Sequence, residues 1–211
     1  MPFRYACFVS YRKATSPLAE RFIVDLSEAL STAMEAAGMD SDVYLDWLRL
    51  EGDVSHELAI ARAMCESLRS IIVFTPNYLS VNHPYCAREF KGLVDLEEKR
   101  LSILGERKNK VSLLVPIVLR GADFLPEQLK QRQYYDFSAF LPSHRGLAAH
   151  RPFLRMIDEI ARETYRIQAL FKNVGEDPCR DCDDFVLPSV DDVLPLLREA
   201  APSSPPMFPR L

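Results

Sequence analysis

Long hydrophobic runs are missing from this sequence. The longest, VSLLVPIVL (111–119), is strand-sized, far short of the about 18 apolar residues a membrane span needs. No membrane partner is therefore expected. Clustered positive charge is scarce too. The net charge is −4 and no basic run exceeds ERKNK (106–110), which reads as a solvated loop. Phosphate backbones are recognised by grouped Lys and Arg, so nucleic acid is excluded as a general partner. The seven glycines are scattered and none falls in the turn after the first strand. That excludes a phosphate-cradling P-loop and a dinucleotide-binding glycine turn. There is no G-x-S-x-G, so a strand-borne serine hydrolase nucleophile is absent as well.

The apolar start, MPFRYACFV, is short and gives way to Ser10-Tyr11-Arg12-Lys13, which does not read as a signal peptide. Five cysteines, an odd number, then favour thiols in a reducing cytoplasm. Cys179 and Cys182 form one C-x-x-C. A zinc ribbon needs a second pair, so two loop thiols or an occasional disulfide are expected and no metal is.

What is present is an ordered alternation of strand and helix patterns. Residues 3–9 (FRYACFV) alternate and are rich in aromatic and β-branched types, a strand signature, with Ser10–Lys13 as its exit loop. Ser16-Pro17 opens a helix whose spacing of three and four places Leu18, Phe22, Leu26, Ala29, Ala33 and Ala37 on one face, ended by Gly38. A strand at 42–45 runs into Asp46 and the loop WLRLEGDVS. Helical spacing returns at Val54, Leu58, Ala61, Cys65 and Leu68, followed by a strand at 70–74. A helix over 84–99, the apolar strand 111–119, a short strand at 134–137 and a helix over about 152–171 complete the pattern. This order predicts an α/β, flavodoxin-like three-layer sandwich with a five-stranded parallel sheet. Residues 1–173 read as one domain. Residues 174–211 read as a C-terminal extension, partly Pro-rich and flexible, with a short amphipathic helix at 190–200 that docks on the domain or engages a partner.

Four motifs then occur in order: FVSYRK (8–13), DWLRLEGD (46–53), IIVFTPNYLS (71–80) and YCAREF (85–90), with YYDF (134–137) near the end. Together they resemble a TIR domain, the Toll/interleukin-1 receptor family, over about residues 3–170. Some members of that family are assembly scaffolds and others cleave NAD+ at the nicotinamide–ribose bond. In the enzymatic kind a glutamate lies in the helix after the third strand, in a pattern similar to W-C-x-x-E. Here the resemblance assigns that catalytic position to Glu89, with Tyr85 where the family often has Trp.

The chemistry suits a lone carboxylate. Nicotinamide leaves as a neutral molecule and needs no general acid. The difficulty is the positive charge growing on the ribose, which a carboxylate stabilises as in glycoside hydrolysis. Tyr85 and Glu89 are four apart and share a helix face, expected to border the cleft beyond the strand ends, while Phe90 and Leu93 point more toward the sheet. Ser10, Tyr11, Arg12 and Lys13 leave the first strand at that edge. Arg12 and Lys13 are placed to meet a pyrophosphate. Tyr11 and Trp47 are placed to stack on a ring or simply to pack, and Asp46 ends the second strand beside them. Without the motifs, Glu89 would read as an ordinary solvated charge on an amphipathic helix.

The resemblance therefore implies a cytoplasmic NAD+ glycohydrolase or cyclase, with NAD+ as substrate rather than cofactor. Its product would be an ADP-ribose-derived signal, and in kind it is similar to the TIR component of Thoeris-type anti-phage systems. Other copies of the chain, through TIR–TIR contacts, and a phage-derived trigger are the implied partners, with an effector reached by the diffusible product. The alternative is a non-catalytic scaffold assembling through residues 46–53, with Trp47 as its anchor.

Overall fold

A computed structural model describes residues 3–13, 17–40, 42–45, 54–106, 111–140 and 146–200. The elements in chain order are β1 (Tyr5–Tyr11), α1 (Pro17–Ala36), β2 (Asp42–Leu45), α2 (Val54–Cys65), β3 (Ser67–Phe74) and α3 (Tyr85–Leu104). They continue with β4 (Leu114–Val118), α4 (Glu127–Lys130), β5 (Tyr135–Asp136), α5 (Arg151–Phe171) and α6 (Val190–Ala200). Short 3-10 turns lie at Ala122–Phe124 and Leu147–Ala149.

The five strands form one sheet in the order β2-β1-β3-β4-β5, and every pairing is parallel. The α/β, flavodoxin-like architecture expected from the sequence is therefore present. In this order the chain reverses its winding direction between β1 and β3. Open α/β sheets place their ligands at such a switch point, beyond the carboxyl ends of the strands.

Two apolar layers follow from the alternation of side chains along each strand. Cys7, Val9 and Tyr11 of β1 join α1 and α5 on one side. Phe8 of β1, with Ile72 and Phe74 of β3, joins α2, α3 and α6 on the other. All eight residues of β3 and all five of β4 are buried, as for strands covered on both faces.

Several boundaries and faces differ from the sequence reading. β1 runs on through Ser10 and Tyr11, which belong to the strand rather than to its exit loop. The buried face of α1 is Phe22, Ile23, Leu26, Leu30 and Met34, while Leu18 is exposed. The larger aliphatic side chains decide the face, displacing the alanines, because each buries more apolar area. Leu58 of α2 is also exposed, and Ile60, Ala61, Met64 and Cys65 are buried in its place. β3 begins three residues earlier than expected, at Ser67, and α3 runs on to Leu104. No described helix is long and apolar enough to cross a membrane.

The segment after α5 docks on the domain. Cys182 forms a disulfide with Cys65 at the end of α2, not with Cys179. This corrects the expectation of reduced thiols or a pairing within the C-x-x-C. Cys179 remains a thiol, donating to the Cys65 carbonyl at 3.6 Å, and burial pushes it up to about 11. The Arg100 guanidinium, itself lowered to about 10 by burial, donates to the carbonyls of Cys65 and Ser67 beneath the same junction. Beyond it the chain lies across α3, where a Cβ built on Gly92 would sit 3.3 Å from Pro188 and 3.4 Å from Phe185. Ser189 and Asp192 form a reciprocal cap at the start of α6, Ser189 N–H donating to Asp192 at 2.9 Å and Asp192 N–H to Ser189 Oγ at 3.3 Å. Val193 and Leu197, four apart, are then buried in the α2/α3 layer.

Candidate functional site

The site is built where β1 ends, β3 breaks and α3 begins. Pro76 cannot donate to a ladder, and β3 stops at Phe74. The chain turns at once, Tyr78 N–H donating to the Thr75 carbonyl at 2.8 Å. That turn folds the Tyr78 ring back to lie tilted against Phe74 at 6.2 Å, fully buried. The α3 helix then starts at Tyr85, and the Cys86 thiol donates to the Tyr11 carbonyl at 3.7 Å, tying the helix start to the end of β1.

Along β1 the side chains of Phe8 and Ser10 share a face, so Ser10 turns toward α3. Its hydroxyl donates to Glu89 Oε2 at 2.5 Å and lies 2.7 Å from the Tyr78 hydroxyl. Ser10 has one proton to give. Once that proton goes to Glu89, the Tyr78 hydroxyl must donate to Ser10 Oγ. The result is a directed chain, Tyr78 to Ser10 to Glu89, with Ser10 and Tyr78 fully buried and Glu89 2% exposed. Such a chain is worth more in a water-poor interior than at the surface, because each bond polarises the next.

The structure therefore brings Ser10 and Glu89 together and adds Tyr78, which stands inside the 71–80 motif but is not among the site residues expected from the sequence. Tyr78 and Ser10 are 68 positions apart, and only the β1–β3 pairing makes them neighbours. The other expected residues are distributed differently. The Tyr11 side chain belongs to the α1/α5 layer, on the opposite face of the sheet from Glu89, because it follows Ser10 in an alternating strand. Arg12 is half-buried and donates to the Asn77 carbonyl at 2.8 Å, which braces the turn holding Tyr78. Lys13 is exposed. Tyr85 is half-buried at the first position of α3, with the Arg88 guanidinium 5.8 Å from its ring centroid. Arg88 in turn is held by Glu57 of α2 through two bonds of 2.9 and 3.0 Å, and by the Pro188 carbonyl at 2.6 Å. Asp46 and Trp47 lie outside the described residues, as does the rest of the 46–53 loop.

The face of α3 also differs from expectation. Cys86, Ala87, Glu89, Phe90, Gly92 and Leu93 are all buried. Glu89 thus sits on the sheet-facing side with Phe90, not on an open cleft wall. The 20-residue helix is pressed between the sheet and the segment around Pro188, so little of its first half faces solvent.

Gly121, just after β4, fixes the other side of the turn. Its backbone is left-handed at φ 73°, and a Cβ there would meet Pro76 Cγ at 2.6 Å. Gly121→Ala is therefore expected to cost at least the about 1–2 kcal/mol of a left-handed non-glycine residue, with more from displacing the proline ring. Chemical denaturation checks this, and a midpoint equal to wild type would show that the turn tolerates the shift.

The fold and the buried carboxylate define an α/β protein with a polar centre at its topological switch point. No protein-family model matches the sequence, and no curated protein matches it. Among solved structures the chain is similar to the TIR domains of the activated Roq1 resistosome that directly recognizes the pathogen effector XopQ. Identity is 19%, the match covers 85% of this chain and 95% of that chain, and the TM-score is 0.34. A likeness that distant carries no argument about activity.

Proposed function

We propose that this chain is a TIR-type enzyme that cleaves the nicotinamide–ribose bond of NAD+. The observation that carries the reading is Glu89: a carboxylate at the carboxyl ends of β1 and β3, held by a directed hydrogen bond from Ser10. In the reaction, the bond between the ribose C1′ and the pyridinium nitrogen breaks, and its electron pair leaves with nicotinamide. The ribosyl cation left behind is captured by water or another nucleophile, which gives up a proton. The Glu89 carboxylate stabilises the cation, and its low-dielectric surroundings strengthen that effect. Ser10 and Tyr78 act as positioning residues that fix the carboxylate.

At 2% exposed, Glu89 does not reach substrate in the arrangement described. Binding NAD+ requires a second arrangement that uncovers it, and substrate selects that arrangement by the contacts made only there. Assembly of TIR copies is a fitting source of that bias, and an ADP-ribose-derived signal in anti-phage defence is the matching role for the product. Tyr85, Arg12, Lys13, Asp46 and Trp47 remain the proposed substrate contacts.

The same burial favours a second reading, a non-catalytic TIR scaffold in which Ser10–Glu89 simply joins β1 to α3. Incubating the protein with NAD+ over a wide concentration range, with mass spectrometry of the products, separates the two. Nicotinamide release that rises with protein assembly supports the enzyme. Concentration-dependent self-association with no NAD+ loss at any concentration overturns it.

A further inference from the structure

Three of the five cysteines meet at one junction, where the segment after α5 crosses α2 and α3. Cys65, the last residue of α2, is bonded to Cys182. Cys179 stays a thiol in the same place. Its Sγ lies 3.6 Å from the Cys65 carbonyl, and its side chain packs against the layer that buries Cys65 and Cys182.

The local backbone accommodates a second pairing. The chain runs as turns around Cys179 and Cys182, and Cys182 N–H donates to the Cys179 carbonyl at 3.1 Å. Such a turn holds Cα atoms three positions apart within about 7 Å, close to the span a disulfide bridges. The two pairings suit different states of the chain. With the segment docked, α2 presents Cys65 to Cys182. With it undocked, the short link to Cys179 closes at a smaller entropic cost than one across 117 positions. The ion pairs holding the turn itself, Lys99–Asp181 and Arg62–Asp183, are exposed and contribute little to docking.

We propose that Cys179 exchanges into this disulfide, so that the junction is a two-state latch: Cys65–Cys182 ties the segment to α2, and Cys179–Cys182 unties it. The Cys179 thiolate attacks the Cys182 sulfur. The Cys65–Cys182 bond breaks, its electron pair leaves on the Cys65 sulfur, and that sulfur takes up a proton in place of the one Cys179 gave to water. One disulfide is present before and after, so the step needs neither oxidant nor reductant. Burial holds the docked Cys179 thiol up at about 11, which keeps the latch shut until the junction loosens. Once it opens, the segment lies across α3 by noncovalent contacts alone, with Pro188 accepting from Arg88 and Phe185 beside Gly92. The α3 helix carries Glu89, but the exchange does not rest on the NAD+ reading.

The test holds the wild-type full chain without oxygen or added thiol at increasing urea below its unfolding transition. Thiols are then alkylated and the disulfides mapped by mass spectrometry. The expected result is a shift from Cys65–Cys182 to Cys179–Cys182, with the alkylated thiol moving from Cys179 to Cys65, at a rate independent of protein concentration. Limited proteolysis is expected to cut residues 183–200 about tenfold faster in the exchanged form. A Cys65–Cys182 bond that is absent at the start, or unchanged at every urea concentration, overturns the proposal. So does a Cys65–Cys179 pairing, which leaves the segment tied to α2, or a rate that rises with protein concentration, or equal proteolysis of the two forms. Each of these readings is made on wild-type protein, so none depends on a variant folding. In Cys179→Ser the Cys65–Cys182 pairing is expected to persist throughout, and its loss there would equally overturn the proposal.

Discussion

Glu89→Gln is expected to lower NAD+ turnover by about 10²–10³-fold, the scale seen when one preorganised transition-state stabiliser is removed. The substitution keeps the shape and leaves a carbonyl oxygen to accept from Ser10, while deleting the charge the ribosyl cation needs. Burial sharpens the contrast. Neutralising a carboxylate that is 2% exposed removes a desolvation cost, so the fold is expected to hold or gain stability rather than lose it. Nicotinamide release measured by chromatography, beside thermal denaturation of the same samples, reads both quantities. Full turnover in the variant would remove Glu89 from the chemistry. Lost turnover with a collapsed melting temperature would make it a structural strut.

Breaking the Cys65–Cys182 disulfide is expected to have the largest effect on stability. The two cysteines are 117 positions apart. Closing a loop of that order restricts the unfolded chain by about 4–5 kcal/mol on the chain-entropy account. The surface ion pairs in the same region, Lys99–Asp181 and Arg62–Asp183, are exposed and add little. Denaturant midpoints of wild-type protein with and without reductant give the measurement. Reductant suits better than a single cysteine substitution, because Cys179 lies beside the junction and is a ready substitute partner. Equal midpoints would mean that docking of Val193 and Leu197 alone holds the segment.

The strands are legible in the sequence because buried parallel strands leave apolar runs, as at 71–74 and 113–119. Helix faces are less so. Alanines at 29, 33 and 37 satisfy the helical period, but Leu30 and Met34 fill the core. The first part of β3 is hidden by its own chemistry. Ser67 and Arg69 fall outside the strand expected at 70–74, yet both are buried in β3, with Arg69 bonded to α5 and Ser67 donating to the Ala63 carbonyl at 2.6 Å. At the site, the motifs mark Ser10 and Glu89, and the structure joins them. Tyr78 escapes a sequence reading because a tyrosine after a strand carries no local sign of a partner in another strand. The direction of the Tyr11 side chain is obscured when the residue is placed in a loop. As the last residue of β1, it is sent to the other face by alternation. The pairing of Cys65 with Cys182 has no local signal at all, since C-x-x-C spacing points to Cys179.

The disulfide also divides the molecule in a way that the sheet does not. Through it, the stretch from Cys65 to Cys182 becomes a closed covalent ring that contains β3, α3, β4, β5 and α5. β1, α1 and β2 lie on an open arm outside that ring. Ser10 is on the arm and Glu89 is in the ring, so their hydrogen bond spans the seam between two mechanically distinct parts. Separating Ser10 from Glu89 therefore needs only a movement of α3 relative to β1, and breaks no covalent bond.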